Sequence, residues 1–333
     1  MKPMPSPTLL LIGGTRFVGR ALLEEALAAG WTVTAFHRGQ TGSGLYQDDP
    51  RVTHLIGDRD KDLSPLEGGT WDAVVDCIGY FPEPTVKTAD LLSGRVGSYA
   101  FISTISVYRE AEGLFEEGSR ELMTLPEGAD LSKITGENYG ALKVQCEEGL
   151  DRVTEGKCLH IRAGLQIGPH DPTDRFSDWV ERIGRRSRVI VPGDPANDWQ
   201  FIDARDTARF TLHGITQGLT GPYNVTGDIV PMMSVLESVK ELVNPACEFV
   251  SFTDRELEEK GVSAWSDLAL WIPKAGSEKN GLLADTTKAR LAGLSFTPLE
   301  VSAREIWEAV RAFPLDRQRR AGLSNTREDE LLG

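Results

Sequence analysis

Thr8-Leu9-Leu10-Leu11-Ile12-Gly13-Gly14-Thr15-Arg16-Phe17-Val18-Gly19 decides the fold of this 333-residue chain. Thr8 to Ile12 is an apolar run one strand long. Arg20 to Ala29 is a helix-like pattern that closes at Gly30. Strand, glycine turn and helix start, in that order, make a site for a dinucleotide pyrophosphate. Glycine lets the backbone turn tightly and approach the phosphates, and the first helical N–H groups receive the negative charge. Gly13, Thr15, Arg16, Phe17, Val18 and Gly19 are therefore candidate cofactor contacts. A glycine-rich βα turn that only packs would read the same way in isolation; the strand–turn–helix context near the chain start favours the binding site.

The next strand-like run, Trp31 to Phe36, ends at His37-Arg38-Gly39. An NAD-selective fold places an acid about 20 residues past the motif, where it holds the ribose 2′-hydroxyl. Here His37 and Arg38 stand instead, and a guanidinium suits a 2′-phosphate. Arg16 adds a second positive charge. The expected cofactor is NADP(H) rather than NAD(H), with His37 and Arg38 among its contacts. A solvated strand-end arginine is the plainer alternative for Arg38.

Composition fits a soluble globular protein, with 40% apolar and 26% charged residues. The formal net charge of −14 argues against a general nucleic-acid binder, which needs clustered Lys and Arg. The four cysteines, Cys77, Cys146, Cys158 and Cys247, form no C-x-x-C pair and no zinc-like set with histidine, so no metal site is expected. They read as reduced thiols of a cytoplasmic protein. Met1 to Pro7 is short and Pro-rich, unlike a secretory signal, and no run approaches the ~20 apolar residues of a membrane span.

Strand-like runs at Leu9–Ile12, Thr32–Phe36, Val52–Ile56, Ala73–Cys77, Ser98–Ser103 and Cys158–Ala163 alternate with helical patterns, clearest at Arg20–Ala29 and Tyr139–Val153. This predicts an α/β, Rossmann-type doubly wound parallel sheet that binds ligands at the carboxyl ends of its strands. The second half is less regular and reads as a smaller C-terminal substrate-binding part. The expected division gives residues 1–165 to the NADP-binding domain, with returning segments near 200–228. Residues 166–199 and 229–313 form the substrate-binding part, and 314–333 a polar tail, mobile or in an oligomer contact.

Two segments carry the chemistry: Phe101-Ile102-Ser103-Thr104-Ile105-Ser106-Val107-Tyr108 at a strand end, and Tyr139-Gly140-Ala141-Leu142-Lys143 on a helix. Residues four apart share a helix face, so Tyr139 and Lys143 can act together. A free tyrosine titrates near pH ~10, too high for proton transfer at neutral pH, and a nearby ammonium favours the phenolate. A hydroxyl from the strand end can orient the substrate oxygen while Tyr139 moves the proton. Y-x-x-x-K alone is common by chance; its position behind a glycine motif and a Ser/Thr-rich strand end gives it weight.

On these residues the chain resembles the extended short-chain dehydrogenase/reductase superfamily, in its NAD-dependent epimerase/dehydratase branch, with an atypical GGTRFVG turn. Further matching stretches are Gly57-Asp58, Glu147, Gly168-Pro169, Phe201 to Asp206 and Asp285-Thr286-Thr287-Lys288-Ala289. The resemblance implies that Tyr139 is the catalytic acid/base, and that Lys143 tunes it and binds the nicotinamide ribose. It implies that Thr104 contacts the substrate oxygen with Ser103 beside it, that Asp58 contacts adenine, and that Cys77, Ile78 and Gly79 line the cofactor. It also makes a homodimer plausible. Tyr80, Ser106, His170, Arg175 and Trp199 are candidate substrate contacts, with core packing as the default alternative for the tryptophan.

The departures narrow the chemistry. Dehydratases of the family carry an Asp-Glu pair after the threonine, where this chain has Ile105-Ser106. UDP-sugar epimerases carry an arginine where Trp199 stands and an asparagine where Leu165 stands. The expected function is therefore NAD(P)(H)-dependent interconversion of a carbonyl and a secondary alcohol on a small molecule. A sugar epimerase and a non-enzymatic cofactor-binding or RNA-associated protein are the alternatives.

Overall fold

The structure is a computed structural model that describes residues 6–109, 113–119, 121–193, 198–273, 282–315 and 317–333. The chain divides into two compact units. The first holds Met1–Gly164, Ala204–Thr226 and Ala284–Ser295; the second holds Leu165–Asp203, Gly227–Leu283 and Phe296–Gly333.

In chain order the elements begin with β1 (Thr8–Ile12), α1 (Phe17–Ala28), β2 (Thr32–His37), β3 (Val52–Ile56), β4 (Trp71–Asp76), α2 (Pro82–Leu92) and β5 (Val96–Thr104). A short 3₁₀ turn, Ile105–Val107, follows β5, and then come α3 (Gly136–Thr154) and β6 (Cys158–Ala163). The second unit opens with β7 (Leu165–Ile167), α4 (Arg175–Arg185), β8 (Arg188–Pro192) and β9 (Asp198–Asp203). The chain returns to the first unit with α5 (Ala204–Thr216) and β10 (Gly221–Val225). The second unit resumes with β11 (Ile229–Pro231), α6 (Met232–Val243), β12 (Glu248–Phe252) and α7 (Asp254–Glu259). Last come α8 (Thr287–Leu291), in the first unit, and α9 (Leu299–Val310) and α10 (Asn325–Leu332), in the second.

The first unit is built on a seven-stranded sheet of order β10-β6-β5-β4-β1-β2-β3, parallel throughout. This is the doubly wound order, and it reverses between β1 and β4, the switch point where such sheets bind ligands. Leu9 to Ile12 are all fully buried, so β1 reads as an unbroken apolar run, as a strand covered on both faces must. Leu10 and Ile12 join Ala89 and Leu92 of α2 and Cys146 and Leu150 of α3 in one core. Strand alternation turns Leu9 and Leu11 to the other face.

The expected strands appear within two residues of the positions read from the sequence. The start of the returning segment, expected near residue 200, differs. Gln200 lies in β9, which pairs with β7 and β11 in a separate three-stranded sheet, and the return to the first unit begins only with α5. The end of the chain differs more. Residues 314–333 are not a loose tail: Ala321 and Leu323 join the second unit's core. Glu328 of α10 is fully buried, with Arg182 of α4 and the Ile190 N–H as partners. A polar composition hid this, because the polar groups pair with one another: Arg317 binds Asp174 and Glu181, and Arg319 binds Asp178.

Candidate active site

The glycine turn is held by contact. The Gly13 N–H donates to the Phe36 carbonyl at 2.9 Å, and Gly13 takes φ +87°. A Cβ there would fall 2.3 Å from Ile78 Cγ2, and one on Gly19 would fall 2.5 Å from the Gly13 carbonyl oxygen. Only glycine allows this approach of helix to strand. Arg16, in place of the usual middle glycine, sits at φ −138° in extended backbone and needs no special residue. Phe17 carries the left-handed conformation instead, at φ +42°. The start of α1 has no side-chain cap and no acid in its first turn, so its donors are left for an anion. These features fit a dinucleotide pyrophosphate.

A buried ion pair that the sequence reading missed supports this turn. Arg59 binds both oxygens of Asp76 at 2.9 and 2.8 Å, and Asp76 also accepts the Ile78 N–H at 3.0 Å and the Tyr99 hydroxyl at 3.2 Å. Asp76 thus fixes Ile78, the residue against Gly13. The available signal was an aspartate closing the apolar run Ala73-Val74-Val75. Desolvation pushes the Cys77 thiol far above its usual range, which disfavours the thiolate. Asp58 lies in a turn after β3, accepting the Asp60 N–H at 3.1 Å.

Arg38 is exposed and donates no hydrogen bond to a described residue. His37 departs from its expected role. It is buried, and both ring nitrogens are engaged, by the Gly39 N–H at 3.0 Å and by His54 at 2.8 Å. No ring nitrogen remains for direct contact with a ribose.

A reciprocal cap starts α3 just before the tyrosine: Thr135 Oγ1 accepts the Asn138 N–H, and Asn138 Oδ1 accepts the Thr135 N–H. Gly140 then seats the helix on the turn after β5, where a Cβ would lie 2.0 Å from the Ser106 carbonyl oxygen. Tyr139 precedes this contact on α3, its ring 6.5 Å from that of Tyr80. Gly140→Ala should cost about 1–3 kcal/mol, since the obstacle is backbone, and a lowered unfolding midpoint in urea checks it.

Lys143 is buried, and its ammonium donates to the Gly79 carbonyl at 3.0 Å and the Ile102 carbonyl at 2.6 Å. An ammonium has three donors, so one remains for a further acceptor. Burial pushes its pKa down to about 8, against the pull of nearby Cys146, Asp76 and Glu147. The Tyr80 ring lies 5.5 Å from Nζ and 6.5 Å from the Tyr139 ring, and Tyr80 itself is 44% exposed. Thr104 Oγ1 accepts the Ser106 N–H at 3.1 Å, and its hydroxyl lies 3.2 Å from Ser106 Oγ.

Ser103 turns inward, donating to Glu147 at 2.5 Å. Glu147 is clasped by Arg162, which also donates to the Tyr108 hydroxyl at 2.9 Å, and Tyr108 donates to Asn224 Oδ1 at 2.7 Å. Ser103 and Arg162 therefore support the strand end, and Arg162 is not a spare cation for substrate.

The remaining candidates lie in the second unit. His170 follows Gly168-Pro169 at φ +70°, and Arg175 opens α4 with its guanidinium 5.2 Å from the Trp265 ring centre. Trp199 is a core residue: it packs on Phe176, Trp179 and Phe201 and donates to the Leu270 carbonyl at 3.0 Å. That packing leaves it no face for a substrate. No described helix is long and apolar enough to cross a membrane.

No family model matches the chain. Sterol-4-alpha-carboxylate 3-dehydrogenase, decarboxylating, of Mus musculus is 30% identical over 200 residues, 58% of this chain and 49% of that protein. The Bos taurus enzyme is 31% identical over 190 residues, 55% and 48%. The chain thus spans about half the length of the curated relatives it matches. UDP-N-acetylglucosamine 4-epimerase from Methanobrevibacter ruminantium superposes with TM-score 0.68 at 15% identity, covering 92% of this chain and 98% of that one. UDP-glucuronic acid 4-epimerase from Bacillus cereus, in complex with NAD, superposes with TM-score 0.65 at 16% identity, covering 91% and 98%. At such identity these likenesses show the fold alone. By name, the sequence relatives are dehydrogenases and the structural neighbours are UDP-sugar 4-epimerases, and what they share with this chain is the α/β fold with its parallel sheet.

Proposed function

We propose that the chain is an oxidoreductase that interconverts a carbonyl and a secondary alcohol on a small molecule, with NADP(H) preferred over NAD(H). The observation that supports this reading is that α3, which carries Tyr139 and Lys143, packs at Gly140 on the Ser106 carbonyl while Lys143 donates to the Ile102 carbonyl, two residues before Thr104. A nicotinamide cofactor supplies the hydride. Tyr139 donates or accepts the proton at the substrate oxygen, which the Thr104 hydroxyl orients. Lys143 favours the phenolate through its charge, and its third donor suits a ribose hydroxyl. The Gly13–Gly19 turn and the start of α1 would hold the pyrophosphate, and Asp58 and the Cys77–Gly79 segment the adenosine and nicotinamide sides. The homologues named above are dehydrogenases by name, which favours net oxidation or reduction over epimerisation.

The test is a panel of carbonyl compounds and secondary alcohols followed by nicotinamide absorbance. Cofactor consumed in step with product is the expected result; product formed with no net change in cofactor would replace this reading with epimerisation. For the cofactor, a charge-assisted contact of ~1.5–3 kcal/mol means that Arg38→Ala should weaken NADPH binding roughly 10- to 150-fold and leave NADH binding nearly unchanged. Calorimetric titration checks it, and tighter NADH than NADPH binding by the unmodified protein would refute the preference.

A further inference from the structure

Two histidines tie down the loop that follows β2. The Gly39 N–H can only donate, so His37 Nδ1 accepts and the His37 proton sits on Nε2. His37 Nε2–H then donates to His54 Nδ1 at 2.8 Å, which puts the His54 proton on its own Nε2. That proton goes to the Leu45 carbonyl, 3.0 Å away, which can only accept. Both ends of the relay are main chain, so both tautomers are fixed and both rings are neutral. The relay grips the polar stretch Gly39–Leu45 at its first N–H and its last carbonyl. Within that stretch Gly42, at φ +60°, lies against the glycine turn: a Cβ there would be 2.8 Å from the Thr15 carbonyl oxygen. The Gly57 N–H donates to the His37 carbonyl at 3.0 Å, so the segment before Asp58 is held to the same point.

We propose that His37 and His54 are a positioning pair for the ribose end of the cofactor. In their neutral forms they fold Gly39–Leu45 against the glycine turn and present Arg38 to a 2′-phosphate. This rests on the NADP(H) reading for its ligand but not for the clamp itself. A proton added to His37 Nδ1 would face the Gly39 N–H, and one added to His54 Nδ1 would face His37 Nε2–H; either breaks a link. The charged groups on the segments that flank the pair are Arg38, next to His37 in the chain, Asp48 and the Asp49–Arg51 pair before β3, Asp58 after it, and the Arg20–Glu24 pair of α1, where Glu24 accepts the hydroxyl of Tyr46, the residue after Leu45. Burial, then His54, lowers the pKa of His37 from its usual 6.5. The closed loop is therefore fully favoured above that value and loses ground as pH falls below it.

Hydrogen exchange of the Gly39 amide in the cofactor-free protein tests the clamp, and Kd for NADPH and NADH tests its consequence. In the unmodified protein the amide should be protected at about pH 8 and progressively lose protection as pH falls below 6.5. His54→Leu, which can neither accept nor donate, should abolish protection and weaken NADPH roughly ten-fold at about pH 8, with NADH changed less than about two-fold. His54→Gln, with an oxygen to accept and an N–H to donate, should restore most of both at that pH. An unprotected Gly39 amide in the unmodified protein overturns the clamp, and NADPH affinity within about two-fold of normal in His54→Leu overturns its role in recognition. If the unmodified protein prefers NADH, the 2′-phosphate reading falls while the exchange measurement still decides the clamp.

Discussion

Tyr139→Phe should lower turnover by about 10²–10⁴-fold while the protein stays folded and still binds cofactor. The phenylalanine ring keeps the contact with Tyr80 and Lys143 keeps its two carbonyl partners while the proton carrier is lost. Near-normal turnover in folded Tyr139→Phe would refute the assignment of Tyr139 as the proton carrier. The pH profile adds a second signature. The Lys143 ammonium is present below its pKa of about 8 and is lost above it, so turnover should decline on the alkaline side of that value. Lys143→Met should lose turnover and cofactor affinity together. It should lose little stability at neutral pH, because it removes a buried charge. Since burial lowers this pKa from 10.5 to about 8, the penalty for the ammonium is full below about 8 and eases as pH rises to 10.5, so the unmodified protein should gain stability relative to Lys143→Met across that window.

The parts of this site that were legible in the sequence are those fixed by local rules. The glycine turn could be read because strand, turn and helix are contiguous, and Tyr139 with Lys143 because four residues span one helical turn. What escaped is long-range pairing. Nothing near His37 announces His54, which is its neighbour only because β2 and β3 lie parallel with Ala35 opposite it. Arg59 and Asp76 meet across 17 positions, and Tyr108 and Asn224 across 116. The C-terminal segment was misread for the same reason: Ala321 and Leu323 are too sparse to show an apolar period, and the burial of Glu328 depends on Arg182, 146 positions away. Charged residues paired inside a fold look, in sequence, like charged residues in water.

Glu147→Ala should be among the most destabilising single changes in the first unit, costing about 3–5 kcal/mol and roughly 6–20 °C in Tm. It strands the guanidinium of Arg162, which is buried at 4% exposure between β6 and Tyr108, and takes the acceptor from Ser103. The same reasoning gives an unequal cycle. Arg162→Met should be comparably harmful, because it leaves the Glu147 carboxylate buried and unpaired. Glu147→Leu with Arg162→Met should recover much of the loss, since no buried charge then remains and Tyr108 still has Asn224. Thermal unfolding of Glu147→Leu, Arg162→Met and the double variant measures the coupling. Additive losses would mean that the pair is not isolated from water as the geometry requires. Turnover should not recover with stability: Ser103, freed from Glu147, no longer anchors the strand end next to Thr104. A double variant that is stable yet slow would separate what this pair does for the fold from what it does for the catalytic hydroxyl beside it.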